Sequence, residues 1–158
     1  MNISGLSTDI FFIAAIKSNE GLIAKLPAQD IYNNVANPDI DLDNVELPYI
    51  VVNNDGGQNV VESKDDNYES EEDRVNISVL IVARNRKELD DIASQVRQTI
   101  HEYLMTIQDE TSDVHDLAPV DYEFSFSDIS YEMEKPSHSI KFFYLCNVAN
   151  NLTVTNDE

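Results

Sequence analysis

The stretch RVNISVLIVA, residues 74–83, decides the fold of this chain. Apolar and polar side chains alternate along its first half, and Leu80 and Val82 add apolar groups to the opposite side in its second half. This pattern predicts a central strand whose far end is covered on both faces.

A long helix is predicted directly after this strand. Residues 84–87 are polar, and Asn85 followed by Glu88 three positions later is typical of a helix N-cap. From Leu89 to Ile107, apolar residues recur at helical spacing, with charged and amide side chains between them. This stripe predicts a helix that buries one face against the sheet.

The flanking sequence adds an N-terminal helix and four shorter strands. The segments that predict strands are residues 31–35, 48–52, 120–126 and 140–148. In the third of these, Val120, Tyr122, Phe124 and Phe126 alternate with polar residues, which indicates a half-buried strand with the aromatic side chains inside. The last segment is apolar almost throughout, so we expect it inside the sheet.

These elements predict a single α+β domain over residues 1–148. Its antiparallel or mixed sheet would carry the N-terminal helix and the long central helix on one face. The length of 158 residues and the hydrophobic content of 42% suit one domain with a real core. We expect residues 53–73 to form an acidic loop and residues 149–158 an acidic, flexible tail.

The charge of the chain limits its partners. Thirty acidic residues stand against ten basic ones, for a formal net charge of −20. Phosphate groups of nucleic acids and of anionic membranes would repel such a protein, which argues against sequence-specific DNA binding and against membrane association. Three explanations of the charge stay open: solubility, the lining of a passage through which DNA moves, or imitation of DNA.

No sequence motif indicates catalysis. The single cysteine, Cys146, lies in an apolar strand pattern, and the three histidines have no partner at metal-ligand spacing. The chain contains no Gly-x-Ser-x-Gly elbow and no dinucleotide-binding glycine pattern. We therefore predict a protein that is not an enzyme, with no catalytic residue, no metal and no cofactor.

Contacts between copies are the most specific sites that the residues suggest. The basic cluster is Arg84, Arg86 and Lys87, and the acidic group that could face it consists of Glu69, Glu71, Glu72 and Asp73. The basic cluster could pair with carboxylates of the same molecule, or it could meet this acidic group of a neighbouring copy in a head-to-tail contact that closes a ring. A second contact is predicted at an edge strand formed by Tyr49, Ile50, Val51 and Val52, which a neighbour would cover.

The order of these signals resembles the tail-completion or tail-terminator proteins of tailed bacteriophages. The shared features are the N-terminal helix, the strand at 48–52, the loop at 53–73, the alternating strand that enters the long helix, and an aromatic-rich C-terminal pair of strands. The resemblance implies a structural subunit of the virion that is assembled in the host cytoplasm. Such subunits form a ring, typically of six copies, that caps the tail tube and joins it to the head connector while DNA passes through.

Two other functions stay open at this point. One is a DNA-mimic inhibitor, whose carboxylates would occupy the groove of a nucleic-acid-binding enzyme. The other is a different neck or adaptor subunit of a phage or a contractile injection machine, which the sequence does not separate from a tail terminator.

Overall fold

The computed structural model describes residues 8–27, 31–33, 47–60, 70–108, 114–127 and 137–151. The helices are α1 (Thr8–Lys17), α2 (Glu20–Ile23) and α3 (Arg86–Gln108). The strands are β1 (Ile31–Asn33), β2 (Tyr49–Val60), β3 (Ser70–Ala83), β4 (Val114–Ser127) and β5 (Ser137–Asn151).

The five strands form one mixed sheet in the order β1-β2-β3-β5-β4. β1 runs parallel to β2, and the other neighbours are antiparallel. The predicted α+β class is confirmed, as are the central position of β3 and the interior position of β5.

The main core lies between one face of the sheet and the two longer helices. Phe12 and Ile16 of α1 and the apolar stripe of α3 pack on alternate residues of β2, β3 and β5. The start of α3 is capped as predicted, because the Glu88 backbone N–H donates to Asn85 Oδ1 at 2.8 Å. Both helices therefore cover the same face, in agreement with the sequence prediction.

A smaller apolar cluster lies on the opposite face of the sheet. It consists of Tyr49, Val51 and Val82, with Leu47 and Leu80 packed against it. Leu80 and Val82 are the residues whose position had indicated cover on both faces at the end of β3, so this expectation is confirmed.

The structure corrects one prediction: Tyr49, Ile50, Val51 and Val52 do not form an edge strand. These residues begin β2, which pairs with β3 on one side, while residues 50–52 pair with β1 on the other. On this side of the sheet, β1 is the edge strand instead. A three-residue parallel partner leaves almost no local signal, so the sequence of β2 alone could not reveal its neighbour.

The predicted acidic loop at 53–73 is also wrong at both ends. Residues 53–60 continue β2, residues 70–73 belong to β3, and the two strands pair as a long hairpin arm. The turn-forming residues around Gly56, whose φ is +102°, produce a bulge between Asn54 and Gly56. At the C-terminus, β5 extends to Asn151, so residues 149–151 are strand and not tail.

Candidate intermolecular surface

The outer strand β4 exposes a row of aromatic side chains, which we call the aromatic row: Tyr122, Phe124 and Phe126. Their exposed fractions are 50%, 58% and 41%, and Val120 beside them is 59% exposed. The predicted strand forms as β4, but the prediction that its aromatic side chains lie inside is wrong, because they are on the surface. The reason is its edge position, since the helix stripe ends over β5 and, among the described residues of β4, only Leu117 packs against the core.

Neighbouring rings of the row contact one another. The Tyr122 and Phe124 centroids are 6.3 Å apart and nearly parallel, and those of Phe124 and Phe126 are 5.5 Å apart. These distances are within the range of favourable aromatic pairs. The row is therefore one continuous apolar surface along a strand that, in the part of the chain described, pairs only with β5.

Two arginines of α3 extend over the row. The Arg86 guanidinium carbon lies 4.2 Å from the centroid of Phe126, and that of Arg97 lies 5.8 Å from Tyr122 and 5.7 Å from Phe142. Both positions suit cation–π attraction. Neither arginine forms an ion pair with a described carboxylate.

A cleft of about 180 Å³ opens beside Arg97. Its lining includes Arg97, Asp121, Tyr122, Phe142 and Tyr144, and we call it the Arg97 cleft. Tyr144 is buried, and its hydroxyl has no hydrogen-bond partner among the described residues. Burial raises the pKa of Tyr144 to about 12, although the positive charge of Arg97 acts in the opposite direction. The hydroxyl is therefore a protonated donor at neutral pH.

The predicted basic cluster is divided by the structure. Arg84 pairs within its own molecule, with Nη2 2.7 Å and Nε 3.2 Å from the carboxylate of Glu88. This bond from the Arg84 guanidinium holds the pKa of Glu88 below its ordinary value. Arg86 lies on the aromatic row, and Lys87 is exposed at the start of α3. Of the two predicted alternatives for Arg84, the structure therefore shows pairing with a carboxylate of the same molecule.

The predicted acidic group lies at the opposite end of the central strand. Glu72 and Asp73 are in the hairpin arm, where Asp73 accepts a hydrogen bond from Asn59 at 3.1 Å. Arg84 lies eleven positions after Asp73 along the chain, a distance of about 36 Å at the usual rise per strand residue. Pairing of these two charges within one molecule is therefore impossible.

The structure describes less of the other two residues in the predicted acidic group, Glu69 and Glu71. The backbone of Glu71 pairs with Asn150 in the sheet, and its side chain lies outside the described residues. Glu69 lies wholly outside them.

Arg97 and Tyr144 are site residues that the sequence analysis missed. The arginine falls on the polar side of a helix stripe, and the tyrosine belongs to an apolar strand. Only the packing of α3 across β5 and β4 brings them to one cleft, so no local pattern could have revealed it.

No protein-family model matches the chain, and no curated protein matches it in sequence. None of the described helices has the length and apolar character needed to cross a membrane. The described residues also contain no group of three or more histidine, cysteine or carboxylate side chains arranged to hold a metal ion.

Proposed function

We propose that this protein is a structural subunit of a phage tail, which assembles into a ring that ends the tail tube and joins it to the head connector. In the proteins that it resembles, such rings typically contain six copies. DNA would pass through the opening without sequence-specific binding, and the tube and connector proteins would be the other partners.

The observation that carries the proposal is the exposed aromatic row on an edge strand. Each ring buries roughly 200 Å² when fully covered, so the row and Val120 leave on the order of 400 Å² of apolar surface open in one copy. That is a large part of the roughly 800 Å² that one partner contributes to a standard interface. A second protein surface would cover both the rings and the outer backbone edge of β4, which pairs with no other described strand.

The distribution of charge supports a head-to-tail arrangement. Lys87 and Arg86 lie at one end of the central strand and Glu72 and Asp73 near the other, too far apart to meet in one molecule. Opposite charges of adjacent copies would meet if the copies were related by a rotation that brings these two ends together. Repetition of that contact closes a ring.

The net charge supports a negative opening. Six copies at −20 each would carry about −120, enough to repel the phosphates of passing DNA. The same charge opposes closure of the ring, and salt screens this repulsion over a Debye length of about 10 Å at 0.1 M. Assembly should therefore strengthen as salt increases.

Sedimentation velocity across protein concentrations, from low to moderate salt, tests the proposal, and negative-stain electron microscopy gives the shape of any assembly. We expect a closed ring whose population increases with salt. A monomer at every concentration and salt would contradict self-assembly. Binding of a purified nucleic-acid-processing enzyme to the monomer, displaced by duplex DNA, would favour the DNA-mimic alternative instead.

The place of the ring in the virion requires a separate measurement. Antibody labelling of intact particles should mark the junction of head and tail. Labelling elsewhere in the neck or along the tail would favour an adaptor subunit over a tail terminator.

A further inference from the structure

We infer that the Arg97 cleft receives a carboxylate side chain from a second copy of this chain, so that the contact between copies combines the aromatic row with one charge-assisted bond. The inference rests on the proposed self-assembly and names the groups that would make it specific. It concerns residues that the sequence analysis had not associated with assembly.

The chemistry of the cleft favours a carboxylate. Arg97 has no described carboxylate within ion-pair distance, while the faces of Tyr122 and Phe142 hold its guanidinium at the mouth of the cleft. A guanidinium fork matches the two oxygens of a carboxylate. Tyr144 also lines the cleft, and its hydroxyl is a second donor without a described partner.

The carboxylate of the cleft itself does not fill this role. Asp121 Oδ1 accepts the backbone N–H of Tyr122 at 2.7 Å, which holds this side chain in its own strand. No ion pair forms between Asp121 and Arg97. The volume of about 180 Å³ is large enough for one acidic side chain and far below the usual size of a drug-sized ligand site.

Charge complementarity and continuity with the aromatic row favour a second copy as the source. With 30 acidic residues in 158, another copy presents carboxylates over much of its surface. The Arg97 cleft adjoins Tyr122, the first ring of the aromatic row, so a copy that covers the row also reaches Arg97. The binding of a free small carboxylic acid would gain no affinity from the aromatic row.

The first experiment measures self-association of variants by sedimentation. Arg97→Gln should raise the dissociation constant roughly tenfold to a hundredfold, as expected for loss of a charge-assisted hydrogen bond. Lys17→Gln, at an exposed position on α1, makes the same change of net charge. This variant should keep the dissociation constant within about twofold of the wild-type value. Tyr144→Phe should weaken association severalfold without lowering the melting temperature, because the hydroxyl has no described partner in the single chain.

The second experiment identifies the partner group directly. Arg97→Lys places an amine in the cleft, and a water-soluble carbodiimide joins an amine to a contacting carboxylate as an amide. In a mixture of ¹⁴N-labelled and ¹⁵N-labelled copies, we expect mixed-isotope cross-links from position 97, located by mass spectrometry. Cross-links only within one isotope would overturn the inference, since the carboxylate would then belong to the same chain.

The outcomes separate this inference from the proposed function. If the wild type forms a ring and Arg97→Gln assembles as Lys17→Gln does, the ring stands and the cleft contact is wrong. A dimer that depends on Arg97 supports the cleft and contradicts the ring. A wild-type monomer under all conditions overturns both.

Discussion

Substitution of the central ring of the aromatic row should abolish most self-association without unfolding the protein. Phe124 is 58% exposed. With a total of roughly 200 Å² for the side chain, about 115 Å² remains to be covered by a partner. At about 25 cal/mol per Å², its burial would contribute roughly 3 kcal/mol to each contact, which corresponds to about a hundredfold in the dissociation constant.

Phe124→Thr is the suitable variant because threonine keeps the preference for a strand. The ring touches Tyr122 and Phe126 on the surface and takes no part in the main core. We therefore expect the free energy of unfolding to change by less than about 1 kcal/mol. Sedimentation velocity measures the association, and circular dichroism melts at low protein concentration measure the stability of the single chain.

Ile10→Ala is the matched control. Ile10 is also 58% exposed, but it lies on α1, which packs on the part of the sheet formed by β1, β2 and β3. Equal weakening by both variants would indicate non-specific apolar adhesion, and association of Phe124→Thr at the wild-type level would refute the role of the row. A collapse of the melting temperature would show that the ring is part of the core after all.

Three further predictions concern the stability and reactivity of the single chain. Gly57→Ala should lower the melting temperature by at least about 5 °C, because the added Cβ would lie 2.3 Å from the Arg74 carbonyl oxygen, whereas Gly21→Ala, with its nearest contact at 3.5 Å, should be neutral or stabilising. The Cys146 thiol, buried and with its pKa raised by burial to about 12, should not react with a disulfide reagent until denaturant is added; rapid reaction in the native state would contradict its burial. The lowered pKa of Glu88 means that its charged form stabilises the fold above the ordinary value of 4.5, and that this contribution is lost as the pH falls through the folded-state pKa. Glu88→Gln should therefore melt roughly 2 °C below the wild type at pH 7, and the two melting temperatures should converge as the pH falls below 4.5.

Local patterns were sufficient where an element buries a face against its own neighbours in sequence. The alternation in β3, the cap at Asn85 and the apolar stripe of α3 each follow from the period of one element, and the structure confirms them. The continuous apolar run of β5 indicated an interior strand for the same reason. These features required no knowledge of what lies across the sheet.

Position in the sheet could not be predicted in the same way. β3 and β4 both have apolar residues on alternate positions, yet those of β3 are buried and the side chains of Tyr122, Phe124 and Phe126 are exposed. The difference depends on which strand lies under the apolar stripe of α3 and which strand meets only its arginine side chains, and that is a long-range property of the sheet order. The bulge at Gly56 shows the same limit, because turn-forming residues also suit a strand that remains paired.

The sequence by itself determined the elements and the charge: a strand that enters a long helix, a core along the stripe of that helix, and a surface at −20. Only the tertiary structure decided which apolar residues remain outside and which charges can meet. Burial depends on the neighbours that the whole sheet supplies, whereas periodicity records only that a side of an element is apolar. For this reason the aromatic row and the Arg97 cleft, on which the proposed assembly depends, became apparent only in the folded chain.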